Sequence, residues 1–293
     1  MRTIATLVVA PLAFFLAACG AERPSAGGGS TGAKEPPPAV SKQGPGRLYE
    51  VNATVLESRT HGPMLCLGGV LESFPPQCGD LRITNWDWHA VDGEETAGGT
   101  VWGAYYVVGR YDGETFAVTD VGPYEAARSA AETNTDFTSP CAAPAGGWTG
   151  LEQATQEDAR PAHAYAESQP DYVTSWVTHL DPSANEFGPV IVNAVFTGGG
   201  ERHEAELRKI WGGPLCVVER DVPTARELDR IRDEAEASLP ELGLRMLWSQ
   251  GPGIEPVVEI GVVVDVGGRG QTALDSRFGR GVVRLIPALK PVS

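Results

Sequence analysis

Histidine is scarce, with five in 293 residues. The five fall in no recognisable pattern, which leaves few general bases for catalysis. Cations are short too: 23 Lys and Arg stand against 38 Asp and Glu, a net charge of −15. A body this acidic repels nucleic acid and anionic head groups, so nucleic acid is excluded as a partner. Beyond residue 46 there is no G-x-S-x-G elbow and no S-x-x-K, so no hydrolase or penicillin-binding nucleophile is signalled. His203-Glu204-Ala205-Glu206-Leu207 begins like a zincin helix, but a leucine stands where the second histidine belongs, and Leu207 reads as core. No apolar run reaches the ~20 residues of a membrane-spanning helix.

What is present begins with an export signal over residues 1–18. Arg2 precedes an apolar run from Ile4 to Phe15, followed by Leu16-Ala17-Ala18-Cys19. That tetrapeptide resembles the lipobox of bacterial lipoproteins. The resemblance implies cleavage before Cys19, diacylglycerol on its thiol, and residence at the outer face of the cell membrane, with membrane lipid as partner. Each buried lipid CH₂ contributes about 0.8 kcal/mol, so two acyl chains anchor firmly. Residues 19–46 follow as a tether rich in Gly, Ser and Pro, too poor in large apolar residues to order itself. Its mean reach as a coil is roughly 30 Å.

Apart from Cys19, the cysteines are Cys66, Cys78, Cys141 and Cys216. An even number in an oxidising compartment favours two disulfides. Three pairings exist. Cys66 with Cys78 is preferred as a local loop, and Cys141 with Cys216 as a clip between a loop and a strand. Zinc is the competing reading, but no C-x₂₋₄-C spacing or suitably placed histidine supports it.

Residues 47–122 predict a small all-β, barrel-like domain of about five strands, OB-like in type. Tyr49, Val51, Ala53 and Val55 alternate with polar positions. Trp86, Trp88 and Ala90 read as one face of a strand, with Asp87 and His89 on the other. Asp112-Gly113 between Tyr111 and Phe116 reads as a hairpin turn. Trp86, Trp88 and Trp102 are candidate binding residues, since aromatics on such barrels can stack ligands. Their competing role, shared with Tyr105, is core packing. Asp87 and His89 offer an acid–base pair or a solvated outer face.

Residues 123–150 read as a connector. From 151 to 293 the chain repeats itself, about 152–220 and 221–290, as a duplicated α/β sandwich. With Pro189 set on Pro256, Val190 meets Val257, Val195 meets Val262, Leu207 meets Leu274, Trp211 meets Phe278 and Gly212 meets Gly279, without a gap. Thr155-x-x-Asp158 and Thr224-x-x-Glu227 predict helix starts. Leu228, Ile231, Ala235 and Leu239 form one helical stripe. Each helix is followed by a strand bearing a tryptophan, Trp176 or Trp248. The unit is therefore α-β-β-α-β, twice, and the whole an α+β protein.

That order of elements resembles BON domains, found in bacterial envelope proteins and credited with membrane or wall association. Their Gly-Val-x-Leu-x-Gly signature is absent, so no residues carry over. In stretches such as CLGGVLESFPPQCGD and IWGGPLCVV the chain resembles exported lipoproteins of actinobacteria, which implies a location and no activity.

Three further features read as structure first. Gly198-Gly199-Gly200 reads as a tight turn, because Glu201 and Glu204 would repel a bound phosphate. The loop Asp181-Pro-Ser-Ala-Asn185-Glu186 lacks calcium-loop spacing. Arg269, Arg277, Arg280 and Arg284 read as solvated, or else as a surface facing an acidic partner or lipid head groups. The expectation is a non-enzymatic, lipid-anchored envelope protein that binds another envelope protein or a wall component, without cofactor or metal. A solute carrier and an unrecognised enzyme are the alternatives.

Overall fold

The computed structural model describes residues 47–124, 136–181 and 188–292. The export signal, Cys19, the tether and the loop positions Asn185 and Glu186 lie outside them. The described residues are mixed α+β, mostly strands, with four α-helices.

The first six strands are β1 (Leu48–Ser58), β2 (His61–Cys66), β3 (Leu81–Thr84), β4 (Glu95–Ala97), β5 (Thr100–Tyr111) and β6 (Thr115–Pro123). Five close into a barrel in the order β1-β2-β3-β6-β5, with β5 returning to β1. Neighbours are antiparallel except β3 and β6, which are parallel. Tyr49, Ala53 and Val55 alternate into a core with Leu65, Ile83, Val107 and Phe116, which is the side-chain period of a strand half in water. The β5–β6 turn is built as its sequence predicts. Gly113 takes φ 107°, and the Asp112 carboxylate accepts from the backbone N–H of Glu114 and Thr115 at 2.9 and 2.7 Å.

The strand expected around Trp86–Ala90 is not formed. Asn85 adopts φ 63°, a left-handed conformation that ends β3. Trp88–Ala90 then forms one 3₁₀ turn, capped by Asp87 Oδ1 accepting from His89 N at 2.9 Å. Short Asn and Asp side chains offer the backbone local partners that compete with a sheet ladder. Asp87 is spent on that backbone bond.

The C-terminal half runs α1 (Arg160–Ser168), β7 (Tyr172–His179), β8 (Val190–Phe196), α2 (Gly200–Ile210) and β9 (Leu215–Glu219). It continues with α3 (Ala225–Ser238), β10 (Met246–Gln250), β11 (Val258–Val262), α4 (Arg269–Phe278) and β12 (Val283–Pro287). Two three-stranded sheets result, β7-β8-β9 and β10-β11-β12. In each the first pair is antiparallel and the second parallel. Thr224 and Glu227 make the reciprocal cap of α3. Leu228, Ala235 and Leu239 are buried on its inner stripe, with Ile231 partly buried. Leu207 is fully buried in the first core, in keeping with its apolar role.

The ungapped superposition of the two halves does not survive in the strands. Val190, Val192 and Ala194 face the helices α1 and α2, whereas Val258, Ile260 and Val262 face α3 and α4. Val195, set on Val262 in the sequence, lies instead on the opposite face with Val173 and Trp176. A one-residue slip turns every strand side chain to the other face. The helix positions Leu207 and Leu274 both remain buried against their sheets.

A last strand, β13 (Lys290–Pro291), pairs antiparallel with β1. Val263 and Leu289 join the barrel core, and the Arg245 guanidinium donates to the Asp80 carbonyl. The second α/β unit is thus stitched to the barrel. Disulfides join Cys66 to Cys78 and Cys141 to Cys216, with Cα separations of 5.6 and 5.7 Å. The second clips the segment ahead of α1 onto β9. Among the described residues no helix is long and apolar enough to cross a membrane.

Candidate functional site

The turn ahead of α1 is closed by Asp158 N donating to Thr155 Oγ1 at 3.3 Å and Thr155 Oγ1 to Asp158 Oδ2 at 2.6 Å. The helix itself starts later than that pair predicts, at Arg160 behind Ala159, with no side-chain cap. Ala162 and Ala166 turn into the core. His163 and Glu167, four residues apart, share the adjoining stripe. They line a cleft of about 580 Å³ with Glu157 and Arg160 and with Ser175 and Trp176 from β7. A cleft of this size suits a small molecule or a short piece of polymer.

Ser175 Oγ is the hub of its polar contacts. It lies 2.8 Å from His163 Nδ1 and 3.1 Å from the Tyr172 hydroxyl. Burial holds the His163 imidazole below its ordinary pKa, against the opposing charge of Glu167. Burial likewise pushes the Tyr172 hydroxyl up. Both groups are therefore neutral at pH 7, a set of hydrogen-bonding groups without net charge. On the rim, Arg160 and Glu157 form an exposed ion pair at 3.3 Å. Trp176 is 7% exposed, and its buried indole N–H has no hydrogen-bond partner.

A serine beside an imidazole invites comparison with a nucleophilic dyad. A triad needs a carboxylate to orient the second imidazole nitrogen, and among the described residues none hydrogen-bonds to His163. Ser175 also stands mid-strand, paired opposite Ala194, and not on the sharp strand-to-helix turn that exposes a nucleophile.

A second histidine network is internal. His203 on α2 is fully buried. Its Nε2 lies 2.9 Å from Asp171 Oδ2, and its Nδ1 lies 3.2 Å from the Tyr165 hydroxyl. Arg202 also donates to Asp171 at 3.2 Å. Burial pushes the Asp171 carboxyl up, but the His203 hydrogen bond and the Arg202 charge outweigh it and hold it below the usual carboxylate range. The network ties α1, α2 and the start of β7 together.

Both glycine-led helix N-termini, those of α2 and α4, are filled from within. Glu219 Oε1 accepts from Gly200 N at 2.5 Å at the head of α2. Asp265 accepts from Gly270 N and Gln271 N at 2.8 and 3.0 Å at the head of α4. The glycine run at 198–200 is a turn whose amide already has its carboxylate.

Of the three candidate aromatics, the structure brings two together. Trp86 and Trp88 pack edge to face, 5.3 Å apart, and both lie against Tyr105 on the barrel core. Trp88 Nε1 donates to Glu57 at 2.7 Å. Trp102 is elsewhere, edge-on to Phe74 at 5.9 Å. The arginine group is also dispersed. Arg277 pairs with Glu234, and Arg284 with Glu255 and Glu259, while Arg269 faces a different cavity. The sequence reading missed His163 and Ser175. The i, i+4 pairing of His163 with Glu167 was the one signal that could have marked them. The chain matches no known protein-family model, and no curated protein is significantly similar to it.

Proposed function

We propose that this is an exported protein, held by diacylglycerol on Cys19 at the outer face of a bacterial cell membrane, that binds a polar wall component without transforming it. The placement rests on Leu16-Ala17-Ala18-Cys19 and the tether behind it. The observation that carries the binding role is the cleft between α1 and β7, walled by Trp176 and furnished with the uncharged pair His163 and Ser175. Neutral donors and acceptors beside an indole suit sugar hydroxyls and amides of wall glycan or peptide better than ions. The solute-carrier reading draws on the same cleft and differs only in the size of its ligand.

Two architectural readings accompany it. The barrel order β1-β2-β3-β6-β5 with β3 and β6 parallel supports an OB-like barrel. The recurrence of α-β-β-α-β with the same pairing senses supports a duplication, with one residue of offset gained between strand and helix.

Intact-mass measurement on the native protein tests the anchor: a mature chain starting at Cys19 with acyl mass is expected, and a chain lacking either sinks it. Titration of soluble wall glycan and peptide fragments tests the cleft. Saturable binding that His163→Ala weakens about tenfold is expected, as for loss of one to two hydrogen bonds. Binding that ignores His163→Ala and Glu167→Ala alike overturns the cleft as the site.

A further inference from the structure

A second cavity, of about 460 Å³, opens between the barrel and the second α/β unit. Three arginines line it: Arg47 ahead of β1, Arg245 ahead of β10, and Arg269 at the start of α4. In a chain of net charge −15, three guanidinium groups at one cavity is an unexpected concentration. Most arginines elsewhere on the α/β half are matched to carboxylates, as Arg232 is to Asp229 and Arg284 to Glu259. These three are not: among the described residues none is in an ion pair. Arg245 donates to the Asp80 carbonyl, and Arg269 Nε to the Val266 carbonyl at 3.3 Å.

The acids nearby offset only part of the charge. Asp112 lines the cavity, but its carboxylate is occupied by Glu114 N, Thr115 N and Thr115 Oγ1. Asp265 is spent on the head of α4. Counting Asp112 at full charge, the lining carries three positive groups and one negative, a net of about two positive charges. A phosphomonoester carries roughly −1.5 to −2 at pH 7, and guanidinium forks match its oxygens in bidentate fashion. Val263, Val264 and Leu244 supply an apolar wall, and the volume exceeds the ~30 Å³ share of one water-sized group many times over. The site therefore has room for an organic part beside the anion.

We propose that this cavity binds a phosphate ester, its phosphate held by Arg47, Arg245 and Arg269 and its organic part set against the valine wall. The site is separate from the α1–β7 cleft and does not depend on it. A soluble phosphorylated molecule and a phospholipid head group share this chemistry, and the test separates them.

Calorimetric titration of the whole chain, bearing Cys19→Ser so that no lipid is attached, would use inorganic phosphate, glycerol 3-phosphate and succinate. Sedimentation with vesicles of phosphatidylcholine alone, or with phosphatidic acid added, forms the second arm. Saturable binding of glycerol 3-phosphate over succinate identifies a soluble ester. Binding only to vesicles containing phosphatidic acid identifies a head group. Either result is expected to fall roughly tenfold in Arg269→Gln and in Arg47→Gln, as for loss of one charged hydrogen bond. Arg277→Gln, whose partner is Glu234, should leave it unchanged. Arg245 is kept out of the variants because it also holds the barrel. The proposal is overturned if neither arm shows saturable binding, if succinate binds as well as the ester, or if binding is unaffected in both arginine variants.

Discussion

The rings of Phe196 and His203 lie face to face, with centroids 3.8 Å apart and planes 10° from parallel. Phe196 ends β8 and His203 sits in the first turns of α2, so the stack closes the strand–turn–helix passage around Gly198-Gly199-Gly200. The imidazole edge then reaches Asp171 and Tyr165. One residue thereby settles the seating of α2 on its sheet and the approach of the loop leading into β7. This gives a histidine at complete burial a structural role.

Replacing that histidine should be costly. His203→Ala removes the stacked ring, leaves the Tyr165 hydroxyl without its partner and leaves Asp171 with Arg202 alone. The expected loss is about 3 kcal/mol, from cavity and unpaired polar groups together. Urea unfolding measures it, and a loss under ~1 kcal/mol would show that the network contributes little. Arg202→Gln, which removes a largely exposed guanidinium from beside Asp171 and His203 Nε2, should cost far less.

The Cys141–Cys216 bond spans 75 residues. Cross-links over long loops restrict the unfolded chain most, and about 4 kcal/mol is the chain-entropy expectation for a loop of this size. Cys141→Ser with Cys216→Ser should therefore lower the unfolding midpoint more than Cys66→Ser with Cys78→Ser, which opens a separation of 12. Equal losses for the two pairs would contradict the loop-length account.

Much of this architecture was legible because it is written locally. The barrel strands show in the alternation from Tyr49 to Val55, the hairpin in Asp112-Gly113, and α3 in the Thr224–Glu227 cap and the Leu228-to-Leu239 stripe. The stretch from Trp86 to Ala90 misled because its period-2 pattern ignores what Asn85 and Asp87 do to their own backbone. The strand offset between the halves was illegible for a related reason. Glycines and bulky residues fix an alignment to within a residue, and one residue decides which face a strand side chain takes. The cleft was hidden because His163 and Ser175 are 12 residues apart and meet only when α1 folds over β7. The arginine cavity draws Arg47 and Arg269 from opposite ends of the folded chain, a proximity no local pattern records.

Gly109 on β5 marks where the barrel tolerates no added atom. A Cβ there would collide with the Phe116 ring and the Ala117 carbonyl on β6, at the register shift between Val108 and Gly109. The carbonyl is backbone and cannot rotate away. Gly109→Ala should destabilise by about 1–3 kcal/mol through overpacking. Gly62→Ala, with open space around the position, is the matched control. Thermal unfolding of the two variants checks the contrast, and equal midpoints would mean that β5 and β6 can part without cost.

His163 should make stability depend on pH in a defined direction. Burial lowers its pKa below the ordinary imidazole value of 6.5. The unfolded chain therefore takes up a proton at a higher pH than the folded protein does. Stability rises with pH wherever the unfolded state holds more protons. The contribution of His163 is complete above about 6.5, declines as pH falls below that value, and stops declining once the folded imidazole also titrates. The depressed carboxyls of Asp171, Asp112 and Glu227 act in the same direction but in a lower window, below the ordinary carboxyl values of about 4. His163→Asn keeps a polar partner for Ser175 and removes the titration. Urea midpoints measured from pH 3 to 8 should slope downward below 6.5 in the wild type and lie flatter in the variant across that upper window, with both falling together in the acid range. An identical slope in both proteins would show that His163 has solvent enough to charge freely, and with it that the floor of the cleft is wetter than its neutral hydrogen-bonded pair implies.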